Sequence, residues 1–213
     1  MNFKTLWKNE YFKTILLLAI ILLSVVAFWF GSRAILATEY PFLAVASGSM
    51  VPTLQVGDLI VVQGISNFSE VWAAPYGTNR PGDIIVFHKP QEPDELIVHR
   101  AIAKEKINGT WYFKTKGDAN ATPDSWYNST TRFPEGMLPQ QYVVGKVVAS
   151  VPYLGHIALT LRKPVGIFIL VLILLALIAL EFVFPQSSKE EEEASETESS
   201  GFSDASIFKG YIR

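Results

Sequence analysis

Residues 56–64 read VGDLIVVQG and residues 81–90 read PGDIIVFHKP, so a Gly-Asp turn twice precedes a short aliphatic run. Short runs rich in Val and Ile, bounded by Gly and Pro, are typical of β-strands. Two copies are too few for a solenoid, and the likeness is explained by shared turn chemistry. We therefore predict that each run forms one strand of a compact β domain.

The same pattern continues through the middle of the chain, in further runs rich in Val, Ile and aromatic residues. The predicted fold class is mainly β, with a compact all-β domain over residues 36–163. The long loop 64–81 carries Trp72 and Tyr76, and we predict an interfacial or substrate-facing role for it because loops of this length are commonly functional. The other strand candidates are YPFLAVAS (40–47), ELIVHRAIAKEK (95–106), TWYFKTKGD (110–118) and YVVGKVVASVP (142–152).

Two apolar runs flank this domain. Residues 14–30 contain no charge, and residues 165–184 contain only Glu181 near the far end. At about 1.5 Å per residue, these runs reach roughly 25 and 30 Å, close to the thickness of a hydrocarbon core. We predict transmembrane helices at 14–31 and 165–184. The alternative for the second run is a buried helix, which fits poorly inside so small a domain.

A cleaved signal peptide is the alternative for the first run. The segment SRA at 32–34 offers small residues at a suitable spacing. However, the apolar run is longer than the usual signal core of about 7–15 residues. A retained membrane anchor is the preferred interpretation.

The charges around the spans predict their orientation. Lys4, Lys8 and Lys13 precede the first span and favour a cytoplasmic segment at 1–13, with the β domain outside the membrane. Arg162 and Lys163 oppose this arrangement. The Ser- and Glu-rich segment 186–213 is predicted to be a disordered cytoplasmic tail. Four N-x-S/T sequons in the middle segment agree with an outside location: Asn67, Asn108, Asn120 and Asn128.

Composition excludes several classes of function. The chain has 213 residues, of which 49% are hydrophobic, and a mean hydropathy of +0.25, which is too apolar for an ordinary soluble protein. A net charge of −2 without a basic patch gives no case for nucleic-acid binding. The absence of cysteine excludes disulfides and thiolate chemistry. The three histidines have no zinc-site spacing, so we predict no metal and no cofactor.

Three polar stretches are candidates for catalysis. Ser49 lies in SGSMVPTL (47–54), where Gly48 permits an unusual turn and Pro52 stiffens its exit. Strand alternation in ELIVHRAIA (95–103) gives His99 an apolar face. The loop KGDANATPD (116–124) offers Asp118 and Asp124. Taken singly, these are ordinary turn, core and Asx-turn residues.

Together, and in this order, the three stretches resemble the conserved boxes of type I signal peptidases, and YVVGKVVASVPYLG (142–155) also resembles that family. The resemblance covers about residues 41–163. It implies an all-β signal-peptidase-like catalytic domain in a membrane-bound serine endopeptidase that cleaves signal peptides from preproteins. Bacterial members have a lysine base where this chain has His99, so the chain resembles the archaeal and endoplasmic-reticulum branch. GDAN replaces GDNN of the reticulum pattern, and Ala119 therefore lacks a side-chain amide.

The resemblance also implies residue roles. Ser49 corresponds to the nucleophile and His99 to the general base. Asp124 is favoured over Asp118 as the acid that orients His99, with Asp118 holding the surrounding loop. The Ser49 amide and the Ser47 hydroxyl correspond to the oxyanion hole. The substrate-binding strand corresponds to FLAVA, with shallow pockets near Phe42, Ala44 and Val45, for which core packing is an equal alternative.

The expected partners are preproteins, membrane lipid and the export machinery, and the expected location is the cell membrane with two spans. Two other functions remain open from the sequence. One is a non-catalytic, membrane-anchored β domain of an export complex. The other is a related serine peptidase that processes a regulator or itself, with SRA (32–34) as the candidate site of self-cleavage.

Overall fold

The computed structural model describes residues 10–127 and 133–161, with scattered positions between 163 and 176. The chain divides into two units, Met1–Thr160 and Leu161–Arg213, and the β domain belongs to the first. The positions described between 164 and 176 are helical. Outside the described residues lie the first nine residues, most of the predicted second span (165–184), the predicted tail (186–213) and the sequon at Asn128.

Helix α1 spans Glu10–Leu36 and contains the first apolar run. Its segment Ile15–Leu36 is long and apolar enough to cross a membrane, and none of its most apolar window is buried against the protein. Exposed Leu, Ile and Phe side chains over this length fit a lipid environment. Within the described residues, α1 is the one helix that meets this criterion.

The helix extends beyond the predicted span (14–31) at both ends and includes Leu36, which we had placed in the β domain. The SRA segment (32–34) therefore lies in the last turns of α1. A helical segment keeps its backbone groups in its own hydrogen bonds, whereas proteases bind extended peptides. Self-cleavage at this segment would require the end of α1 to unwind.

Over residues 37–127 and 133–160, the first unit contains seven strands. Five of the six predicted runs contain one strand each, and the strand at the run 95–106 extends beyond it to Glu92 and Ile107. A two-residue strand before Gln140 was not predicted because it is too short for an alternating pattern. A short helix, α2 (Gly155–Leu161), follows the last strand. The strands are β1 (Phe42–Ala44), β2 (Leu59–Gln63), β3 (Ile84–Lys89), β4 (Glu92–Ile107), β5 (Thr110–Lys116), β6 (Leu138–Pro139) and β7 (Val143–Val151).

All seven strands join one antiparallel sheet in the order β1-β2-β7-β3-β4-β5-β6. The long strand β4 pairs with both β3 and β5, and β1 lies at one edge. The prediction of a mainly β domain behind an N-terminal apolar helix is confirmed.

Both faces of the sheet carry buried side chains. Ile85 and Phe87 lie on one face and Val86 on the other, because successive strand residues alternate. His99 is the cross-strand partner of Ile85 and so shares the first face. The cluster on that face comprises Val71, Ile85, Phe87, Ala101, Phe113, Trp126, Phe133 and Leu138, and the other comprises Val45, Met50, Leu54, Ile60, Val62 and Val86.

The two Gly-Asp turns perform the same local task. The Asp58 carboxylate accepts the backbone N–H of Gln55 at 2.8 Å and that of Tyr153 at 3.3 Å. The Asp83 carboxylate accepts the backbone N–H of Trp72 at 3.0 Å. Each aspartate therefore ties the start of its strand to a neighbouring loop. The contacts are not the Asx turns that the repeated Gly-Asp pattern suggested, because the donors do not lie two residues after the aspartate.

Gly57 and Gly109 provide a matched test of packing at the first of these turns. Both have a left-handed backbone, with φ of 90° and 86°. Alanine at either position carries a similar strain of about 1 kcal/mol. A Cβ at residue 57 would collide with the His156 ring, whereas a Cβ at residue 109 meets nothing within 4 Å. We expect Gly57→Ala to lower the melting temperature of the full-length protein in detergent more than Gly109→Ala. Equal melting temperatures would show that the His156 ring moves aside freely.

Candidate active site

Ser49 lies on a turn that the core holds from both sides. The backbone N–H of Val51 donates to the Gly48 carbonyl at 3.1 Å, and that of Leu54 donates to the Met50 carbonyl at 2.9 Å. The side chains of Met50 and Leu54 are buried. Ser49 itself is only partly exposed. Because the hydrogen bonds and the buried neighbours fix the backbone of the turn, the Ser49 hydroxyl is presented from a fixed position.

The loop after β5 closes over this turn. The Ala119 backbone N–H donates to the Ser49 carbonyl at 2.9 Å. Gly117 permits the approach, because a Cβ there would lie 2.6 Å from the Ser49 carbonyl oxygen and 2.8 Å from the Asn120 amide nitrogen. The Ala119 side chain is exposed. The position where this chain departs from the GDNN pattern therefore contributes its backbone to the site.

His99 contacts both Ser49 and Asp124. Its Nε2 lies 3.1 Å from Ser49 Oγ, and its Nδ1 lies 2.6 Å from Asp124 Oδ2. The three residues come from the β1–β2 connection, the middle of β4 and the loop after β5. The side chains of His99 and Asp124 are 9% and 12% exposed, so this part of the site is largely shielded from water.

These contacts assign the protons on the His99 ring. A carboxylate only accepts hydrogen bonds, so the proton between the ring and Asp124 belongs to Nδ1. In the neutral ring Nε2 is then unprotonated and can accept the Ser49 hydroxyl proton. This arrangement can activate a serine oxygen as a nucleophile.

Asp118 contacts Arg100 instead of His99. Arg100 Nε donates to Asp118 Oδ1 at 2.8 Å, and its NH2 group donates to Oδ2 of the same carboxylate. Thr53 also donates to Asp118, and Arg100 NH1 donates to the Gly82 carbonyl at 2.6 Å. The Arg100 and Asp118 side chains are only 6% and 1% exposed. This buried pair ties β4 and the loop after β5 to the turn that carries Ser49.

The candidate oxyanion residue Ser47 lies next to Ser49. The two hydroxyl oxygens are 3.4 Å apart, which is at the long end for a hydrogen bond. Ser47 is exposed. Its hydroxyl is therefore close to the nucleophile candidate and free to rotate toward a substrate.

The three candidate substrate-binding residues lie in different environments. Phe42 and Ala44 are half-buried on β1, and the Phe42 ring stacks on Phe28 of α1 with a centroid distance of 5.7 Å. Val45 is buried in the core cluster that contains Met50. The side chain of Val45 is therefore packed inside the protein. Phe42 and Ala44 are partly exposed, and Ala44 has the smaller side chain of the two.

The long loop between β2 and β3 reaches the site through Tyr76. The Arg100 guanidinium carbon lies 5.6 Å from the centre of the Tyr76 ring. Tyr76 and Asp118 line a cavity of about 270 Å³. Trp72 instead donates its indole N–H to the Arg80 carbonyl at 3.0 Å, within the loop itself. Of the two aromatic residues singled out in this loop, Tyr76 is the one that contacts the buried Arg100–Asp118 pair.

Sequence reasoning missed four residues that hold the site together. Arg100, directly after His99, and Thr53, within the serine box, were not proposed as partners of Asp118. Trp126 donates a hydrogen bond to Thr115, and Thr115 donates one to Asp124. The available signal was position: each of the four lies within four residues of a predicted site residue.

Three or more His, Asp or Glu side chains placed to hold a metal do not occur in the described residues.

Comparison with known proteins identifies the family of the chain. The family model described as "Signal peptidase, peptidase S26" matches residues 8–105. The signal peptidase complex catalytic subunit SEC11C of Homo sapiens is 32% identical over 162 residues, which cover 76% of this chain and 78% of that protein. The chain belongs to the peptidase S26 family of signal peptidases. The resemblance identified from the three sequence boxes is confirmed.

Other relatives extend across animals and fungi. SEC11C of Mus musculus is 33% identical over 156 residues, covering 73% of this chain and 74% of that protein. The catalytic subunit SEC11 of Verticillium alfalfae is 30% identical over 137 residues, covering 63% of this chain and 72% of that protein. This signal peptidase is a hydrolase of the serine type, and the archaeal and endoplasmic-reticulum branch was assigned correctly.

The buried Arg100–Asp118 pair yields a test of stability. Asp118→Asn leaves the Arg100 charge buried without a charged partner, and breaking such a pair typically costs about 3–5 kcal/mol. We expect a large drop in the melting temperature of the full-length protein.

The control is Glu92→Gln in the exposed cluster around Lys89. The hydrogen bonds that Lys89 donates to Glu95 and then to Glu92 raise the pKa of Lys89, but solvent screens exposed pairs of this kind. We expect this variant to melt at the wild-type temperature. An Asp118→Asn variant that melts like the control would show that the pair does not stabilise the fold.

Proposed function

We propose that this signal peptidase cleaves preproteins with Ser49 as nucleophile, His99 as general base and Asp124 as the acid that orients His99. The observation that supports the assignment is the continuous contact from Ser49 Oγ through the His99 ring to Asp124, at 3.1 and 2.6 Å. A non-catalytic β domain has no need for a serine, an imidazole and a carboxylate to meet in this order.

The proposed reaction has two halves. Ser49 Oγ attacks the scissile carbonyl while His99 Nε2 takes its proton, and the new C–O bond gives a tetrahedral oxyanion. The C–N bond then breaks as His99 returns the proton to the leaving amine, which leaves the signal peptide as an acyl ester on Ser49. In the second half, water gives its proton to His99 and attacks the ester, and Ser49 is restored. Asp124 stays ionised and stabilises the imidazolium that forms in each half.

The oxyanion requires donors at the position where its charge develops. The Ser49 backbone N–H and the Ser47 hydroxyl are the proposed donors. The 3.4 Å separation of the two hydroxyl oxygens puts Ser47 within reach of an oxyanion formed at Ser49. Removal of one donor of this kind typically slows the reaction by a factor of about 100 to 1000.

The edge strand β1 is the proposed binding site for the residues before the cleaved bond. The Pro41 carbonyl accepts the Val62 N–H and the Val45 N–H donates to the Asp58 carbonyl, so residues 41 and 45 pair with β2. Antiparallel pairing alternates. The backbone groups of Phe42 and Ala44 therefore point away from β2, where no strand pairs with β1 in the described part of the chain. An extended peptide can add to this edge.

We further propose that α1 anchors the enzyme in the membrane with the β domain outside the cytoplasm. The basic residues before α1 support this orientation. The second span at 165–184 and the acidic cytoplasmic tail complete the proposed topology of a two-span cell-membrane protein. A substrate whose signal peptide spans the same bilayer would reach the site already oriented, which lowers the entropic cost of the encounter.

The proposed partners are preproteins that carry signal peptides and the subunits of a larger export complex. The named relatives are catalytic subunits of a signal peptidase complex. Similarity to them over about three quarters of the chain supports an assembly of the same kind here.

The assigned roles predict how two substitutions change kcat for preprotein cleavage. Ser49→Ala removes the nucleophile and is expected to lower kcat for preprotein cleavage about a millionfold. Asp124→Asn leaves His99 without its carboxylate and is expected to lower kcat about ten-thousandfold. Cleavage of a preprotein with small residues before its site, by the full-length enzyme in lipid vesicles, measures both effects.

The matched controls are Ser66→Ala and Asp94→Asn, at exposed positions away from the site. Both are expected to cleave at the wild-type rate. A folded Ser49→Ala variant that still cleaves the preprotein would contradict the proposed nucleophile, and an active Asp124→Asn variant would contradict the proposed orienting role.

The edge-strand proposal predicts the effect of proline at residue 44. Ala44→Pro removes a backbone N–H that the sheet does not use, and proline is tolerated on edge strands. We expect KM for the preprotein to rise about fivefold, the effect of losing one hydrogen bond of about 1 kcal/mol, with a nearly unchanged melting temperature. Leu43→Pro is the opposite control, because its N–H faces β2, and it should destabilise the fold. An unchanged KM in Ala44→Pro would exclude pairing at this residue.

A further inference from the structure

A line of hydrogen bonds continues from Asp124 into the core, on the side away from Ser49. Thr115 Oγ1 donates to Asp124 Oδ2 at 2.7 Å. Trp126 Nε1 donates to Thr115 Oγ1, also at 2.7 Å. Thr115 is fully buried and Trp126 is 8% exposed. We propose that Thr115 and Trp126 are positioning residues, which hold the Asp124 carboxylate in the orientation that His99 requires. The proposal rests on the role proposed for Asp124.

The chemistry of the three groups fixes the direction of each hydrogen bond. The indole N–H of tryptophan can only donate, so the Thr115 oxygen is the acceptor of that bond. A hydroxyl has one proton, and a carboxylate only accepts. The Thr115 proton is therefore directed to Asp124 while Trp126 occupies the other side of the oxygen. Trp126 thus selects one rotamer of a hydroxyl that would otherwise be free to turn.

Asp124 is held by Thr115 at two points. Its backbone N–H donates to the Thr115 carbonyl at 2.9 Å, in addition to the side-chain contact. Thr115 lies on β5 opposite Ala101, two residues beyond His99 on β4. Residues two apart on a strand share a face, so Thr115 and His99 approach Asp124 from the same side of the sheet. One carboxylate oxygen receives both donors, and rotation of the carboxylate would break both contacts.

Packing keeps the outer members of this line in place. The Phe87 ring contacts the Trp126 ring edge-to-face, with a centroid distance of 5.2 Å, and it also lies 6.4 Å from the His99 ring. All of these rings belong to the face of the sheet that carries the first core cluster. The site is therefore supported by buried side chains that lie behind Asp124 and His99.

The test compares Thr115→Val with Thr115→Ser in the full-length enzyme. Valine keeps the shape and loses the hydroxyl, whereas serine keeps the hydroxyl and loses a methyl group. We expect Thr115→Val to lower kcat for preprotein cleavage about 10- to 100-fold with an unchanged KM, the effect of losing one hydrogen bond to a charged group. Thr115→Ser should retain most of the activity. A purely structural role predicts the reverse order, because valine fills the buried space better than serine.

Trp126→Phe tests the second step. We expect a smaller fall in kcat, of a few-fold, because the Thr115 hydroxyl can still reach Asp124 but is no longer held there. In the Thr115→Val background the same change should have no further effect on kcat, since Trp126 acts through the hydroxyl. Trp111→Phe and Thr110→Val, on the same strand β5, are the controls and should leave kcat unchanged.

The outcomes separate this inference from the proposed function. If Asp124→Asn retains activity, the orienting role of Asp124 fails and the inference fails with it. If Asp124→Asn is inactive but Thr115→Val cleaves like the wild type, only the inference is overturned. Additive effects of Thr115→Val and Trp126→Phe would overturn the step through the hydroxyl. If Thr115→Val does not fold, an unchanged kcat in Trp126→Phe overturns the proposal.

Discussion

The contact between His99 Nδ1 and one Asp124 carboxylate oxygen, at 2.6 Å, is the interaction on which the arrangement of the site depends. It fixes the proton on Nδ1 and so leaves Nε2 available to Ser49. The two acids and the serine are separated from His99 by long stretches of sequence, and the antiparallel sheet brings them together. β4, which is paired on both sides, supplies His99, and the loop after β5 supplies the carboxylate beside it.

The second acid, Asp118, shows how one loop serves two purposes. Both carboxylates belong to the same nine-residue stretch, yet one contacts an imidazole and the other a guanidinium. Strand alternation explains the division, because His99 and Arg100 are adjacent on β4 and point to opposite faces. A fully buried ion pair is expensive to desolvate, and its value here lies in geometry: it joins β4, the loop after β5 and the Ser49 turn at fixed distances.

The sequence predicted the strands well because their runs are short, β-branched and bounded by Gly and Pro. It also identified Ser49, His99 and the two aspartates as candidates, although it ranked the aspartates only by resemblance. Contacts that cross strands could not be predicted in this way. That Arg100 meets Asp118, or that His99 meets Asp124, depends on the register between β4 and β5, which a one-residue slip would reverse. Val45 was equally ambiguous, since an apolar residue on a short strand fits a pocket or a core, and the structure buries it.

Helix α1 contacts the sheet at two points along its length. The Leu36 carbonyl accepts the backbone N–H of Gly64 at the end of β2, at 2.8 Å, and the Phe28 ring stacks on Phe42 of the edge strand. A flexible tether would let the domain swing above the bilayer, but two attachments on neighbouring strands oppose that rotation. With α1 anchored in the membrane as proposed, a tilt of the helix would be passed to the sheet as a tilt of the edge strand itself. In the proposed anchored arrangement, a mismatch between helix length and bilayer thickness, which helices accommodate in part by tilting, would become a mechanical input to the angle at which β1 faces the membrane.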